Sequence, residues 1–201
     1  MSMNIAVFGG SFNPPHKAHL NIANEFSSLL GLDKMLIIPT FIAPHKEIKY
    51  FVSAEDRLSM CRLMFRDEKF TVSDIEIKRE GKSYTIDTLS VLSNEYPGAK
   101  IYLIIGSDML LSFHEWYRYR DILSKCTLCV MTRENDISEE DMFRYAGDTL
   151  GLNRDEIVIS HAPAYEMSST LIREKLKNGE DVSEYLTKDV EKYIREKGLY
   201  L

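Results

Sequence analysis

Four consecutive apolar residues, Ile5-Ala6-Val7-Phe8, run straight into Gly9-Gly10, and after a short polar stretch Ala18 to Leu30 repeats its apolar side chains at helical spacing. A buried strand, a bare-backbone turn and a helix start in that order confine the chain to folds in which a strand feeds directly into a helix. Such a turn also leaves amide N–H groups unpaired beside the positive end of a helix dipole, where a phosphate would bind. His16 and His19 stand in the same turn. Three residues apart, their side chains project roughly 60° apart around a helix, so both can face one bound group. Two plainer readings compete with this one. A Gly-Gly pair is often only a tight turn. His-x-x-His can be half of a metal site, but no cysteine or second histidine pair stands nearby at zinc-like spacing, so no metal ligand is assigned. The adjacent glycines, with no third one following, do not make a dinucleotide fingerprint either.

Beyond the first helix, strand and helix patterns alternate. Lys34 to Pro39 reads as a second strand and Ser53 to Phe65 as a helix with Leu58, Cys61, Met64 and Phe65 on one side. Phe70 to Ile77 alternates as a third strand, with one slip of phase. Thr85 to Tyr96 is a helix ended by Pro97-Gly98, and Ile101 to Ile105 a continuous, branched strand suited to the centre of a parallel sheet. Cys126 to Met131 and Ile157 to Ser160 supply the remaining strands; Ser138 to Leu150, Thr170 to Lys177 and Thr187 to Lys197 are the remaining helices. Strands separated by helices predict an α/β, doubly wound parallel sheet, with a small helical part at the C-terminal end. No repeat or low-complexity linker divides residues 1–201, so one domain is expected.

The net charge of −6 and an isoelectric point near 5.4 give no basic footprint for a nucleic-acid polymer. No apolar stretch reaches the roughly 18 residues of a membrane span, and the N-terminus lacks a signal-peptide pattern, so a cytoplasmic protein without a membrane partner is expected. Cys126-Thr127-Leu128-Cys129 is formally a C-x-x-C, yet it lies in an apolar strand where positions three apart face opposite ways. Buried apolar side chains are the better reading. The sequence leaves oligomeric state open, a homo-oligomer included.

Ligands in doubly wound sheets lie beyond the carboxyl ends of the strands. Polar residues gather there: Gly9 to His19 after the first strand, Thr40 to Lys49 with Pro44-His45-Lys46 after the second, Gly106-Ser107-Asp108 after the fourth, Thr132-Arg133 after the fifth, and a path to Ser168-Ser169-Thr170 after the sixth. Locally, Lys46 is an ordinary loop lysine, Ser83 to Asp87 a capped helix start, Trp116 a core anchor as readily as a ligand contact, and Ser168-Ser169-Thr170 a helix cap.

Gly9-Gly10-Ser11-Phe12-Asn13-Pro14-Pro15-His16-x-x-His19-Leu20 resembles the signature of the paired-histidine nucleotidyltransferase superfamily. With Ser83-Tyr84-Thr85-Ile86-Asp87-Thr88-Leu89, Trp116-Tyr117 and Met167-Ser168-Ser169-Thr170-Leu171-Ile172-Arg173, it is similar in particular to the bacterial nicotinate-nucleotide adenylyltransferases, in order and over nearly the whole chain. That resemblance implies a Rossmann-like nucleotidyltransferase fold and transfer of the adenylyl group of ATP to nicotinate mononucleotide, with Mg2+ carried on the ATP phosphates. It implies catalytic donors at His16, His19, Lys46 and Arg173. ATP would be held by Gly9, Gly10, Ser11, Phe12, Gly106, Asp108, Arg133, Ser168, Ser169 and Thr170, and the nicotinate nucleotide by Thr85, Trp116 and Tyr117. The chain departs from the family pattern at Ser11 for the commoner Thr, Asn13 for Asp, Ala18 for Gly, and Ala43 for the first proline of a Pro-Pro-His-Lys segment. Asn13 cannot serve as a general base. A sister enzyme acting on nicotinamide mononucleotide or phosphopantetheine would share the N-terminal motif, and a nucleotide sensor would share the fold but not need the four donors together.

Overall fold

In the structure, a computed structural model, residues 2–42, 52–132, 137–160 and 167–201 are described. A parallel six-stranded sheet runs through its middle: β1 (Asn4–Gly10), β2 (Lys34–Pro39), β3 (Phe70–Val72), β4 (Lys100–Gly106), β5 (Thr127–Met131) and β6 (Ile157–Ser160), in the order β3-β2-β1-β4-β5-β6. This is the expected doubly wound topology, and strand order reverses between β1 and β4. There Phe8 pairs in register with Ile104, so Gly9-Gly10 and Gly106 emerge side by side.

Both faces of a parallel sheet must be covered, and the strands alternate accordingly. Ala6, Phe8, Met35, Ile37, Tyr102, Ile104, Cys129 and Met131 face one way. They pack on α1 (Lys17–Leu29), α2 (Ala54–Met64), α8 (Ser169–Lys177) and α9 (Lys188–Lys197) through Phe26, Met60, Ile172, Ile194 and their neighbours. Ile5, Val7, Leu36, Ile38, Leu103, Ile105, Leu128 and Val130 face the other way. These meet α4 (Thr85–Glu95) through Ile86, Leu89 and Leu92, α6 (Tyr119–Leu123) through Ile122, and α7 (Glu139–Tyr145) through Met142.

Three readings need correction. The strand expected over Phe70 to Ile77 stops at Val72, and Ile75–Arg79 is helical (α3). Ser73 donates its N–H to Ile37 as the last link to β2, after which its hydroxyl accepts from Ile75 N–H at 3.3 Å and starts the helical turn. The slip of phase marked that change. The helix expected over Ser138 to Leu150 is α-helical only to Tyr145 and continues as a wider π turn over Ala146–Leu150. Between β4 and β5, where no element was expected, lie α5 (Ser107–Leu110), a 3-10 turn (Phe113–Glu115) and α6. These pieces are too short to show a helical period. Among the described residues no helix is long and apolar enough to cross a membrane.

The cysteines are free, and burial pushes the Cys126 and Cys129 thiols up to about 12 and Cys61 further still. Cys129 packs on the α1 side of the sheet and Cys126, just ahead of β5, on the α4 side, so the C-x-x-C pair cannot bridge. At pH 8 the folded protein should react with a disulfide reagent such as DTNB roughly a thousandfold more slowly than a free thiol. All three thiols should titrate after denaturation; fast labelling of the native chain would contradict this packing.

Candidate active site

The turn after β1 is built by its small residues. A Cβ on Gly10 would lie 3.2 Å from the Phe12 ring, so the glycine lets that ring fold back beneath the turn. Phe12 itself takes the left-handed φ of 45° that a bulky residue rarely adopts, and is buried. Its ring stands edge-on to Phe8 at 5.6 Å, Phe65 at 6.0 Å and His19 at 5.0 Å. Thr40 donates its N–H to Gly10 at 2.9 Å, and Arg57 of α2 donates to Ser11 at 2.7 Å.

His16 and His19 meet, but not as two residues of one helix. His16 is extended, at φ −145° and ψ 170°, and precedes α1 as its N-cap. Its backbone N–H donates to His19 Nδ1 at 3.2 Å, and the rings lie 3.7 Å apart, tilted by 34°. An Nδ1 that accepts carries no proton. His19 is thereby held as the tautomer whose Nε2–H is the donor.

The C-terminal part closes around the same turn. Arg173 donates through Nη1 to the Asn13 carbonyl at 2.8 Å and through Nη2 to Thr170 Oγ1 at 3.2 Å. Ser169 donates to the Pro14 carbonyl at 2.9 Å, Met167 Sδ accepts from Ala18 N–H at 3.2 Å, and Ser168 caps α8 by accepting from Leu171 N–H at 3.1 Å. Asn13 is buried, and its side-chain oxygen accepts from the Tyr200 hydroxyl at 2.5 Å. Burial raises the Tyr200 phenol well above its usual range, so it stays a donor. The segment past Gly179 therefore reaches the site through Tyr200 and through the Tyr185 carbonyl, which accepts from Lys17 N–H at 2.9 Å.

At the point of strand reversal a cavity of about 220 Å3 opens, lined among others by Gly9, Gly10, Ser11, Gly106, Thr85, Trp116 and Tyr117. Asp108 is exposed, and its carboxylate lies over Gly106 so closely that a Cβ there would clash. Thr85 opens α4; the residue before it, Tyr84, caps without its side chain. Ser83, expected to help cap, instead accepts from Phe41 N–H at 2.9 Å and ties the helix start to the end of β2. Trp116 lies on Phe113, ring centres 4.9 Å apart, while Tyr117 is more than half exposed and rests 4.8 Å from Tyr84. Tryptophan thus serves as core anchor and cavity wall together.

One expected gathering is divided. Thr170 and Arg173 line a second cavity, with Val52, Lys177 and Tyr200, rather than the first. They reach the Asn13-Pro14 turn from its other side. Lys46, His45 and Arg133 lie outside the described residues.

Two buried charged residues escaped sequence reading. Glu76 lines the first cavity and accepts from Thr88 Oγ1 at 2.7 Å; burial raises its carboxyl, opposed by Thr88, Ser83 and Arg79. Arg57 is buried in α2. The signal for Arg57 was its position on the apolar face, three residues after Ala54 and four before Cys61, where a surface arginine has no business.

Comparison with known proteins came to the same place. Residues 7–175 match the cytidylyltransferase-like family. The nicotinate-nucleotide adenylyltransferase of Bacillus subtilis (strain 168) is 32% identical over 197 residues, which span 98% of this chain and 97% of the relative. A Fusobacterium nucleatum protein carrying the name "Probable nicotinate-nucleotide adenylyltransferase" is 40% identical over 194 residues, 96% of this chain and 97% of the relative. The structure of Plasmodium falciparum nicotinic acid mononucleotide adenylyltransferase complexed with NaAD superposes with a TM-score of 0.75 at 18% identity, covering 98% of this chain and 97% of that one. At that identity the likeness concerns the fold.

Proposed function

The chain belongs to the cytidylyltransferase-like family and, within it, to the nicotinate-nucleotide adenylyltransferases, and we infer that it transfers the adenylyl group of ATP to nicotinate mononucleotide in NAD biosynthesis. The observation that carries this reading is a single cavity joining the β1 glycine turn, the β4 end at Gly106 and the aromatic wall of Trp116 and Tyr117 beside the start of α4. The glycine turn suits a phosphate and the aromatic wall a pyridine ring, and both border this one cavity. The open N-terminus of α4 at Thr85 suits the nicotinate carboxylate, and an aromatic face suits the ring.

In this reaction a phosphate oxygen of nicotinate mononucleotide forms a bond to the α-phosphorus of ATP, and the bond from that phosphorus to the bridging oxygen breaks. Pyrophosphate departs with the electron pair. The attacking group is already an anion, so no enzyme nucleophile is needed; the protein positions the reactants and offsets developing charge. His19 Nε2–H is the donor best placed by its surroundings, with His16, Lys46 and Arg173 as the further proposed donors. Gly9 to Phe12, Gly106, Asp108, Arg133 and Ser168 to Thr170 are proposed for ATP. Mg2+ is proposed to arrive on the ATP phosphates, which supply hard oxygen ligands of their own; it neutralises charge there. Among the described residues no group of three or more His, Cys, Asp or Glu could hold an ion. The cytoplasm is the compartment proposed.

The test is pyrophosphate release from the purified chain with ATP and Mg2+, with nicotinate mononucleotide, nicotinamide mononucleotide and phosphopantetheine in parallel. An anion at a helix N-terminus is favoured by about 1 kcal/mol or more, so kcat/KM should be at least about fivefold higher for the nicotinate than for the nicotinamide nucleotide. Preference for another acceptor would remove the nicotinate-binding role from Thr85 and Trp116-Tyr117. No turnover with any would turn the reading to a nucleotide sensor.

A further inference from the structure

Arg57 is 2% exposed, and among the described residues its guanidinium donates to main-chain oxygens only. Nη1 donates to Ser11 at 2.7 Å, Nη2 to Phe41 at 3.2 Å and Nε to Val52 at 3.4 Å. Three separate segments are therefore held by one side chain: the turn after β1, the segment after β2 and the segment before α2. Buried charges in proteins are ordinarily neutralised by a partner of opposite sign. Among the described residues no carboxylate forms an ion pair with Arg57; Glu55, two positions away, acts on it only at long range. Burial lowers the guanidinium from its usual range, but an arginine begins so high that it stays charged at neutral pH.

The Ser11 contact has a directional consequence. The Ser11–Phe12 peptide is trans, so its C=O and N–H point in opposite directions. Anchoring the Ser11 carbonyl on Arg57 turns the Phe12 N–H the other way, and that N–H donates to no described backbone acceptor. Ser11 lines the first cavity. We propose that Arg57 is a positioning residue of the nucleotide site: it aims the Phe12 N–H at the ATP phosphates, and its own buried charge is the one those phosphates complete. Two independent features converge on this, the orientation of one peptide and a buried cation beside it that forms no ion pair among the described residues. It rests on the reading of ATP as a substrate.

The experiment is equilibrium binding of ATP alone and of nicotinate mononucleotide alone, followed by Trp116 fluorescence or calorimetry, to the full chain and to R57K and R57M. R57M should weaken ATP about thirtyfold while changing nicotinate mononucleotide less than about threefold; R57K, which keeps the charge, should stay within about fivefold of the parent for ATP. Equal losses in R57K and R57M, or equal losses for both nucleotides, would reduce Arg57 to a packing residue and overturn the proposal. Should R57M fail to fold, the parent still decides. ATP should slow hydrogen exchange at the Phe12 amide about tenfold or more, and an unchanged rate in the ATP-bound chain would overturn the assigned orientation. A parent chain that binds no ATP would instead remove the reading of the reaction, and this proposal with it.

Discussion

Replacing His19 by alanine should lower kcat by about a hundredfold or more, with the affinity for each nucleotide changed only a few-fold, the loss typical of removing one donor aimed at transition-state charge. The geometry makes this side chain more than one donor among several. Its Nδ1 accepts from the His16 N–H at 3.2 Å, and the His16 and Phe12 rings stand 3.7 and 5.0 Å from its own, so the ring is held in place from several sides. A donor already fixed in direction and tautomer needs no reorganisation as charge develops. His19→Gln, which keeps an N–H donor near the same place, should recover part of the rate. Losing the reciprocal cap should cost about 1 kcal/mol of stability, too little to account for the change in rate. Steady-state pyrophosphate release with saturating substrates measures it, and an unchanged kcat removes His19 from the chemistry.

Phe12→Ala should destabilise the whole chain, by about 3–5 kcal/mol, and drop the thermal midpoint by about 10 °C. The ring is 2% exposed and wedged among Phe8, Phe65 and His19, so its removal leaves a cavity that the sheet and α2 can fill only in part. Alanine does nothing to relieve the left-handed backbone at this position, where φ is 45°. Activity should fall as well, because the His19 ring loses one of its walls. Circular dichroism on heating and a rate at 20 °C separate the two effects. A midpoint within about 2 °C of the parent would show that the ring is dispensable.

Much of the architecture was legible because parallel strands buried on both faces are written as continuous apolar runs. Ile5 to Phe8 and Ile101 to Ile105 needed no partner to be recognised, whereas their adjacency, which puts Gly9-Gly10 beside Gly106, is seen only in the sheet. The stretch between β4 and β5 was opaque for the converse reason. Its helices are one or two turns long, and Trp116-Tyr117 could be placed at the cavity only by resemblance. His16 and His19 were read together through helical spacing, whereas the structure joins them through a cap, His16 preceding the helix. The least legible contributions come from far away in the chain. Nothing near residue 57 announces a contact to Ser11, because a side-chain bond to a main-chain carbonyl carries no pattern in sequence. The same holds for Tyr200 and Asn13.

That last contact sets an order of assembly. Residues 13 and 200 lie 187 positions apart, so on a ribosome Asn13 emerges well before its partner is made. A prematurely terminated product could form β1, β2 and β4 and still lack the anchor of its phosphate turn. A chain without Tyr200 keeps all six strands in its sequence and loses this one contact to the turn after β1.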